Sequence, residues 1–144
     1  MSYQNVLKGN CHCGQMHFEL HTNKDETNLV PRTCQCPLCK RHGASWISDP
    51  EGEAHIHYKD KENVSFYRFG TKTADFMTCK KCGVLMVAVC EIEDRKRCVL
   101  NIKAMQGYQF TSEPVLTNFD GENVDNRLER RGRNWTGKTV LHGA

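Results

Sequence analysis

Cys11-His12-Cys13-Gly14, Cys34-Gln35-Cys36-Pro37-Leu38-Cys39 and Cys79-Lys80-Lys81-Cys82-Gly83 hold seven of the nine cysteines of this 144-residue chain. Their spacing governs how the rest is read. Thiolates one or two residues apart can converge on one ion at about 2.3 Å, and zinc takes four such ligands when structural and three when a position stays open. Two pairs and one triplet therefore make one complete tetrahedral set and one incomplete set. An incomplete set is where chemistry can occur.

Around these clusters the hydrophobic period is mostly two, which predicts strands. In Gln15–His21, Met16, Phe18 and Leu20 alternate with His17, Glu19 and His21. Ala54, Ile56 and Tyr58 alternate with Glu53, His55 and His57 in the same way. Val64–Phe69 is aromatic and β-branched, and Arg97–Lys103 places Cys98, Leu100 and Ile102 on one side. Val84–Ile92 is almost continuously apolar, as a strand covered on both faces would be. Turn signals punctuate the runs at Lys8-Gly9-Asn10, Asp49-Pro50-Glu51-Gly52, Phe69-Gly70-Thr71 and Asp120-Gly121. Only Asn123–Arg131 reads as a helix, with Asp120 or Asn123 near its start and Gly132 beyond its end. The expectation is a mainly β fold, a small antiparallel domain with cysteine clusters on its loops and a polar, basic tail from about residue 118.

The size fits one domain, residues 1–144, with its core at about 8–107. No run is long enough for a membrane span, and the amino terminus lacks the basic start and apolar stretch of a secretory signal. That predicts a cytoplasmic, reducing setting, where clustered cysteines bind metal or catalyse rather than form disulfides. Seven metal-bound thiolates and two Zn²⁺ would bring the formal charge of +3 to neutrality. A basic, nucleic-acid-seeking surface is thus disfavoured, although Arg127, Arg130, Arg131, Arg133 and Lys138 form a local basic segment.

Cys11 and Cys13, together with Cys79 and Cys82, are expected to hold a structural zinc. Each pair is followed by a glycine, Gly14 or Gly83, that lets the chain curl and turn amide N–H groups toward the sulfurs. Binding free energy at such a clip is also folding free energy. Cys34, Cys36 and Cys39 form the second, three-thiolate zinc set, in which Pro37 stiffens the loop and soft ligands favour zinc over hard cations. His42, three residues after Cys39, is the candidate for a closing fourth ligand, and His12 a weaker one. Cys90 and Cys98 sit in apolar patterns and read as small core residues. Three thiolates leave Zn²⁺ a poor activator of water but still able to hold a substrate thiol as its thiolate. Carbon–sulfur bond formation or cleavage is the expectation, since no Glu stands beside the triplet as in hydrolytic zinc motifs.

The order Gly9-Asn-Cys11-His-Cys13-Gly14, Cys34-Gln-Cys36-Pro-Leu-Cys39 and Phe76-Met-Thr-Cys79-Lys-Lys-Cys82-Gly83 resembles the glutathione-dependent formaldehyde-activating enzyme family, which also includes centromere protein V. The resemblance covers about residues 8–107, and Phe119-Asp120-Gly121-Glu122 through Thr136-Gly137 looks like the tail of short members. It implies a β-tent fold, a structural zinc on Cys11, Cys13, Cys79 and Cys82, and a catalytic zinc on Cys34, Cys36 and Cys39. It also implies a lyase resembling S-(hydroxymethyl)glutathione synthase, with glutathione as co-substrate and a small aldehyde as its partner. Glutathione carries two carboxylates, for which Lys40, Arg41, Lys72, Lys80, Lys81 and the Arg127–Arg133 segment are candidate cationic partners. The alternative is a non-catalytic, zinc-stabilised binding module.

Overall fold

A computed structural model describes residues 3–110 and 113–143. Among these residues eleven strands form two sheets. β1 (Asn5–Asn10), β2 (Met16–Thr22), β5 (Glu53–Tyr58) and β11 (Lys138–Gly143) make a four-stranded sheet in that order. The larger sheet runs β10 (Val115–Thr117), β3 (Arg32–Cys34), β4 (Trp46–Ile47), β9 (Arg95–Asn101), β8 (Leu85–Ile92), β7 (Ala74–Cys79) and β6 (Val64–Tyr67). Two α-helices among the described residues accompany them, α1 (Pro37–His42) and α2 (Val124–Asn134). The mainly β class and the principal strands fall where the alternation placed them.

The period-two pattern explains the layering. Met16, Phe18, Leu20, Ala54 and Ile56 turn inward from the small sheet and are at most 1% exposed. They pack in one cluster with Met77, Val87, Val89, Cys98 and Leu100 of the large sheet. β8 is buried from Leu85 to Cys90, because its other side supports a second cluster. There Leu85, Ala88, Cys90 and Val99 meet Cys39, Trp46 and Trp135. The large sheet is therefore covered twice, by the small sheet on one side and by the thiol loop and α2 on the other. One residue too many on β8, between the pairs Met77–Val87 and Thr78–Leu85, makes a β-bulge where the strand leaves the second cysteine turn.

Several features depart from the sequence pattern. Lys8-Gly9-Asn10 is strand rather than turn, because Gly9 pairs with Phe18 and the aromatic ring occupies the space a Cβ would need. Pairing is antiparallel in the interior, but β10 lies parallel to β3 and β11 parallel to β5. The segment expected as a polar tail is built into the fold. Its helix runs Val124–Asn134, with Asn123 as N-cap (the side chain accepts the Asn126 N–H at 2.8 Å) and Gly132 inside rather than beyond it. Gly137 then passes so close to the carbonyl of Pro50 that no side chain fits.

This tight passage predicts a stability effect. Gly137→Ala should cost about 1–3 kcal/mol, the usual scale for overpacking, read as a lower midpoint in chemical denaturation. An unchanged midpoint would mean that β11 does not dock beside β5 as described.

Candidate metal centres and their cavity

The turn between β1 and β2 and the turn between β7 and β8 bring four thiols together from different sheets. Cys11, Cys13, Cys79 and Cys82 all place their sulfurs within 4.8 Å of one another. Cys11 Sγ lies 3.7 Å from Cys13 Sγ, which lies 3.6 Å from Cys79 Sγ. Tetrahedral zinc with bonds of about 2.3 Å requires sulfurs about 3.8 Å apart, so the spacing fits that ion. Gly14 (φ 85°) and Gly83 (φ 80°) take the left-handed conformation that curls each turn.

Donors already face these sulfurs. The Met16 N–H reaches Cys11 Sγ at 3.3 Å, and the Cys82 N–H and Gln15 Nε2 reach Cys79 Sγ at 3.5 and 3.4 Å. Gln15 Nε2 also donates to the Asn63 carbonyl at 2.8 Å, tying the thiol cluster to the loop before β6. Burial pushes the Cys79 thiol up, but the Gln15 amide, the Cys82 N–H and Cys13 outweigh it and bring its pKa to about 6. Burial dominates at Cys11 and raises it to about 11. At Cys79 the N–H donors favour the thiolate, the form that binds a divalent cation.

The second set stands at the end of β3 and across α1. Cys34, Cys36 and Cys39 form a group of the same closeness, and no His, Asp or Glu among the described residues joins it. Cys36 is the helix N-cap, its sulfur accepting the Cys39 N–H at 3.4 Å, and Pro37 opens the first turn. Hydrogen bonds from the Cys34 and Cys39 thiols hold Cys36 down to about 2. The same contacts, first with Cys34 and then with Cys36, push Cys39 far up.

His42 closes nothing. It is exposed in the last turn of α1, and Gly43 ends the helix in the left-handed conformation. His12 is exposed too and stands outside both groups. Cys90 and Cys98 are buried in the core as expected, at 1% and 0% exposure. Cys90 Sγ additionally accepts from Arg131 Nη1 at 3.4 Å.

The three thiols open on a cavity of about 440 Å³. Trp46, Phe69, Phe76, Phe119 and Trp135 form much of its wall, and Arg32, Arg127, Arg130 and Arg131 bring cations to it. Of the cationic candidates in the sequence, only arginines of α2 line this space; Lys40, Arg41, Lys72, Lys80 and Lys81 do not. The sequence pattern did not single out Arg32 or the aromatic wall. One legible signal was available: Arg127, Arg131 and Trp135 recur at helical spacing and share one face.

The arginines differ in their counter-charges. Arg130 Nη2 sits 3.0 Å from Glu122 Oε1, its guanidinium stacks 3.5 Å from the Phe119 ring centre, and Arg127 shares the same carboxylate at 3.4 Å. Arg131 is only 5% exposed. Its Nη1 donates to Thr73 Oγ1 at 2.8 Å, its guanidinium lies 4.8 Å from the Trp135 ring centre, and its Nε has no hydrogen-bond partner. Burial lowers its proton affinity, yet a guanidinium stays charged. A buried cation that lines the cavity without a salt-bridge partner among the described residues marks a place for an anion.

Residues 6–119, most of the chain, match the family described as glutathione-dependent formaldehyde-activating enzyme. A crystal structure of a Rhodobacter sphaeroides protein is similar at 26% sequence identity with a TM-score of 0.59, covering 77% of this chain and all of that one.

Metal content checks the two thiol groups directly. The purified chain should carry two zinc ions, Cys36→Ser one, and Cys82→Ser should lose the clip and with it most soluble folded protein. Elemental analysis alongside circular dichroism reads both. Equal loss of folding in the two variants would contradict the assignment of separate roles.

Proposed function

Because the chain belongs to the glutathione-dependent formaldehyde-activating enzyme family, we propose that it is a zinc-dependent carbon–sulfur lyase acting on the thiol adduct of a small aldehyde. In this reading Cys11, Cys13, Cys79 and Cys82 hold a structural zinc, and Cys34, Cys36 and Cys39 the catalytic one. The observation that carries it is the contrast between the two thiol groups: four close on themselves, whereas three face a cavity and no His, Asp or Glu among the described residues lies close enough to join them. A zinc ion on the triplet would supply an open position that holds a substrate sulfur as thiolate at neutral pH.

The chain's own residues do the rest. Addition forms one bond, from the thiol sulfur to the carbonyl carbon; the carbonyl π pair moves to oxygen, which takes up the proton the thiol gave up. Cleavage of the thiohemiacetal is the reverse. No cofactor redox change is needed. Trp46, Phe76 and Trp135 exclude water around the reacting sulfur, and the low-polarity wall strengthens attraction between Arg131 and an anionic substrate group. Glutathione, with two carboxylates, is a natural co-substrate for such a site. Arg131, which lines this cavity without a salt-bridge partner among the described residues, would face one of them, while Arg32, whose Nη2 donates to Ser48 Oγ at 2.6 Å, stands at the same cavity for the other.

Two small thiols of similar size separate charge recognition from thiol binding. Quenching of the tryptophans by 3-mercaptopropionate and by 2-mercaptoethanol should show the carboxylate-bearing thiol binding about tenfold tighter or more, the scale of one charge-assisted hydrogen bond. Arg131→Met should bring the ratio to about one, and Arg131→Lys should keep part of it. If Arg131 served only to balance the thiol cluster, the ratio would survive the substitution and both thiols would weaken together. If neither thiol bound, the lyase reading would fall in favour of a binding module.

A further inference from the structure

The outward face of the small sheet carries a second concentration of ligand-type side chains, outside both thiol groups. Alternation that sends Met16, Phe18 and Ile56 inward sends histidines and glutamates outward. Cross-strand register then sets His17 opposite His57 and His57 opposite His142. The next rows along are Glu19 opposite His55, and His21 opposite Glu53. Five of the chain's seven histidines thus share one face of three adjacent strands.

Their geometry is ordered. The rings of His17 and His57 stack at 4.4 Å and 6°, and those of His57 and His142 at 4.4 Å and 10°. The neutral imidazole is the form that ligates metals. Burial, reinforced by His57, lowers the proton affinity of His17; burial, with His21 and His142 and against Glu53, lowers that of His55. Lys8 and Lys59 act on His17 in the same sense, and Glu19 opposes them.

One pair is already set for coordination. His55 Nδ1 lies 2.8 Å from His142 Nε2. Two nitrogens bound to one first-row ion at about 2.0–2.1 Å, with an angle near 90–110°, lie about 2.9–3.4 Å apart. The other nitrogen of His55, Nε2, lies 3.5 Å from Glu53 Oε1, the carboxylate-behind-imidazole arrangement that orients metal-binding histidines. Glu19 Oε1 similarly lies 3.6 Å from His57 Nε2. Lys138 Nζ, 3.3 Å from Glu53 Oε1, is the nearby cation that offsets this acidic charge.

We propose that this face binds a divalent first-row transition ion, with His55 Nδ1 and His142 Nε2 as its first two ligands. The ion replaces the proton the two rings share. Water and the neighbouring His57 ring, turned about its side-chain bonds, complete the sphere. An imidazole set selects nickel, copper or zinc over magnesium or calcium. The site stands independently of the lyase reading.

The test uses chain without an affinity tag, with its thiol groups already loaded with zinc, titrated with nickel ion in a calorimeter at pH 7.5. One equivalent should bind, with no sulfur-to-nickel absorption band and with the zinc content unchanged. His55→Gln/His142→Gln should weaken binding about tenfold or more, and His142→Gln alone should also weaken it. Lowering the pH to about 5.5 should weaken it in the wild type as the imidazoles protonate. Absence of nickel binding to the wild type would overturn the proposal, and so would equal binding by the double variant.

Discussion

Four thiols on two turns tie the two sheets of this protein together. Cys11 and Cys13 belong to the small sheet's first hairpin, Cys79 and Cys82 to the large sheet's β7–β8 hairpin, and the sulfurs meet at 3.6–3.7 Å. A domain of this size is stable by about 5–15 kcal/mol in total. A structural zinc held by these thiols would contribute an apparent 10–16 kcal/mol or so at neutral pH. A zinc-filled clip would thus be comparable to the whole margin, and the inter-sheet core of Phe18, Ile56, Met77 and Leu100 is assembled beside it.

That constraint also places the second thiol group. With the small sheet held on one side of β8 and β9, the opposite side is free to carry α1, Trp46, Trp135 and the arginine face of α2. The carboxyl-terminal segment closes the arrangement. α2 brings Arg131 to the cavity, Gly137 threads past Pro50, and β11 returns to the small sheet beside β5. Cavity and clip are therefore built from opposite faces of one sheet. The four-thiol group closes on itself, whereas the triplet opens on the cavity.

Sequence alone revealed what local chemistry dictates. Paired cysteines with following glycines were legible because ligand spacing and left-handed backbone are local properties, and Val84–Ile92 was legible because burial on both faces leaves no polar residue before Glu91. Gly9 was not, since its role depends on Phe18 across the sheet. Nor was α1: six residues give too short a period to detect, and its cap is a cysteine rather than the usual serine or aspartate. Arg32, Phe69 and Trp46 reach the cavity from three separate segments, and only the tertiary fold brings them together. The polarity of α2 hid its docking, because the helix buries arginine and tryptophan stems rather than an aliphatic stripe.

The claim at the centre is that one thiol group is closed and the other open. X-ray absorption at the zinc edge measures this as sulfurs per zinc. The zinc-loaded chain, free of added thiol, should show an average of about 3.5 sulfurs with a lighter ligand making up the rest, rising to four on addition of 3-mercaptopropionate. Four sulfurs per zinc before any thiol is added would mean that both groups are closed, and the account of a thiol-binding centre would be wrong.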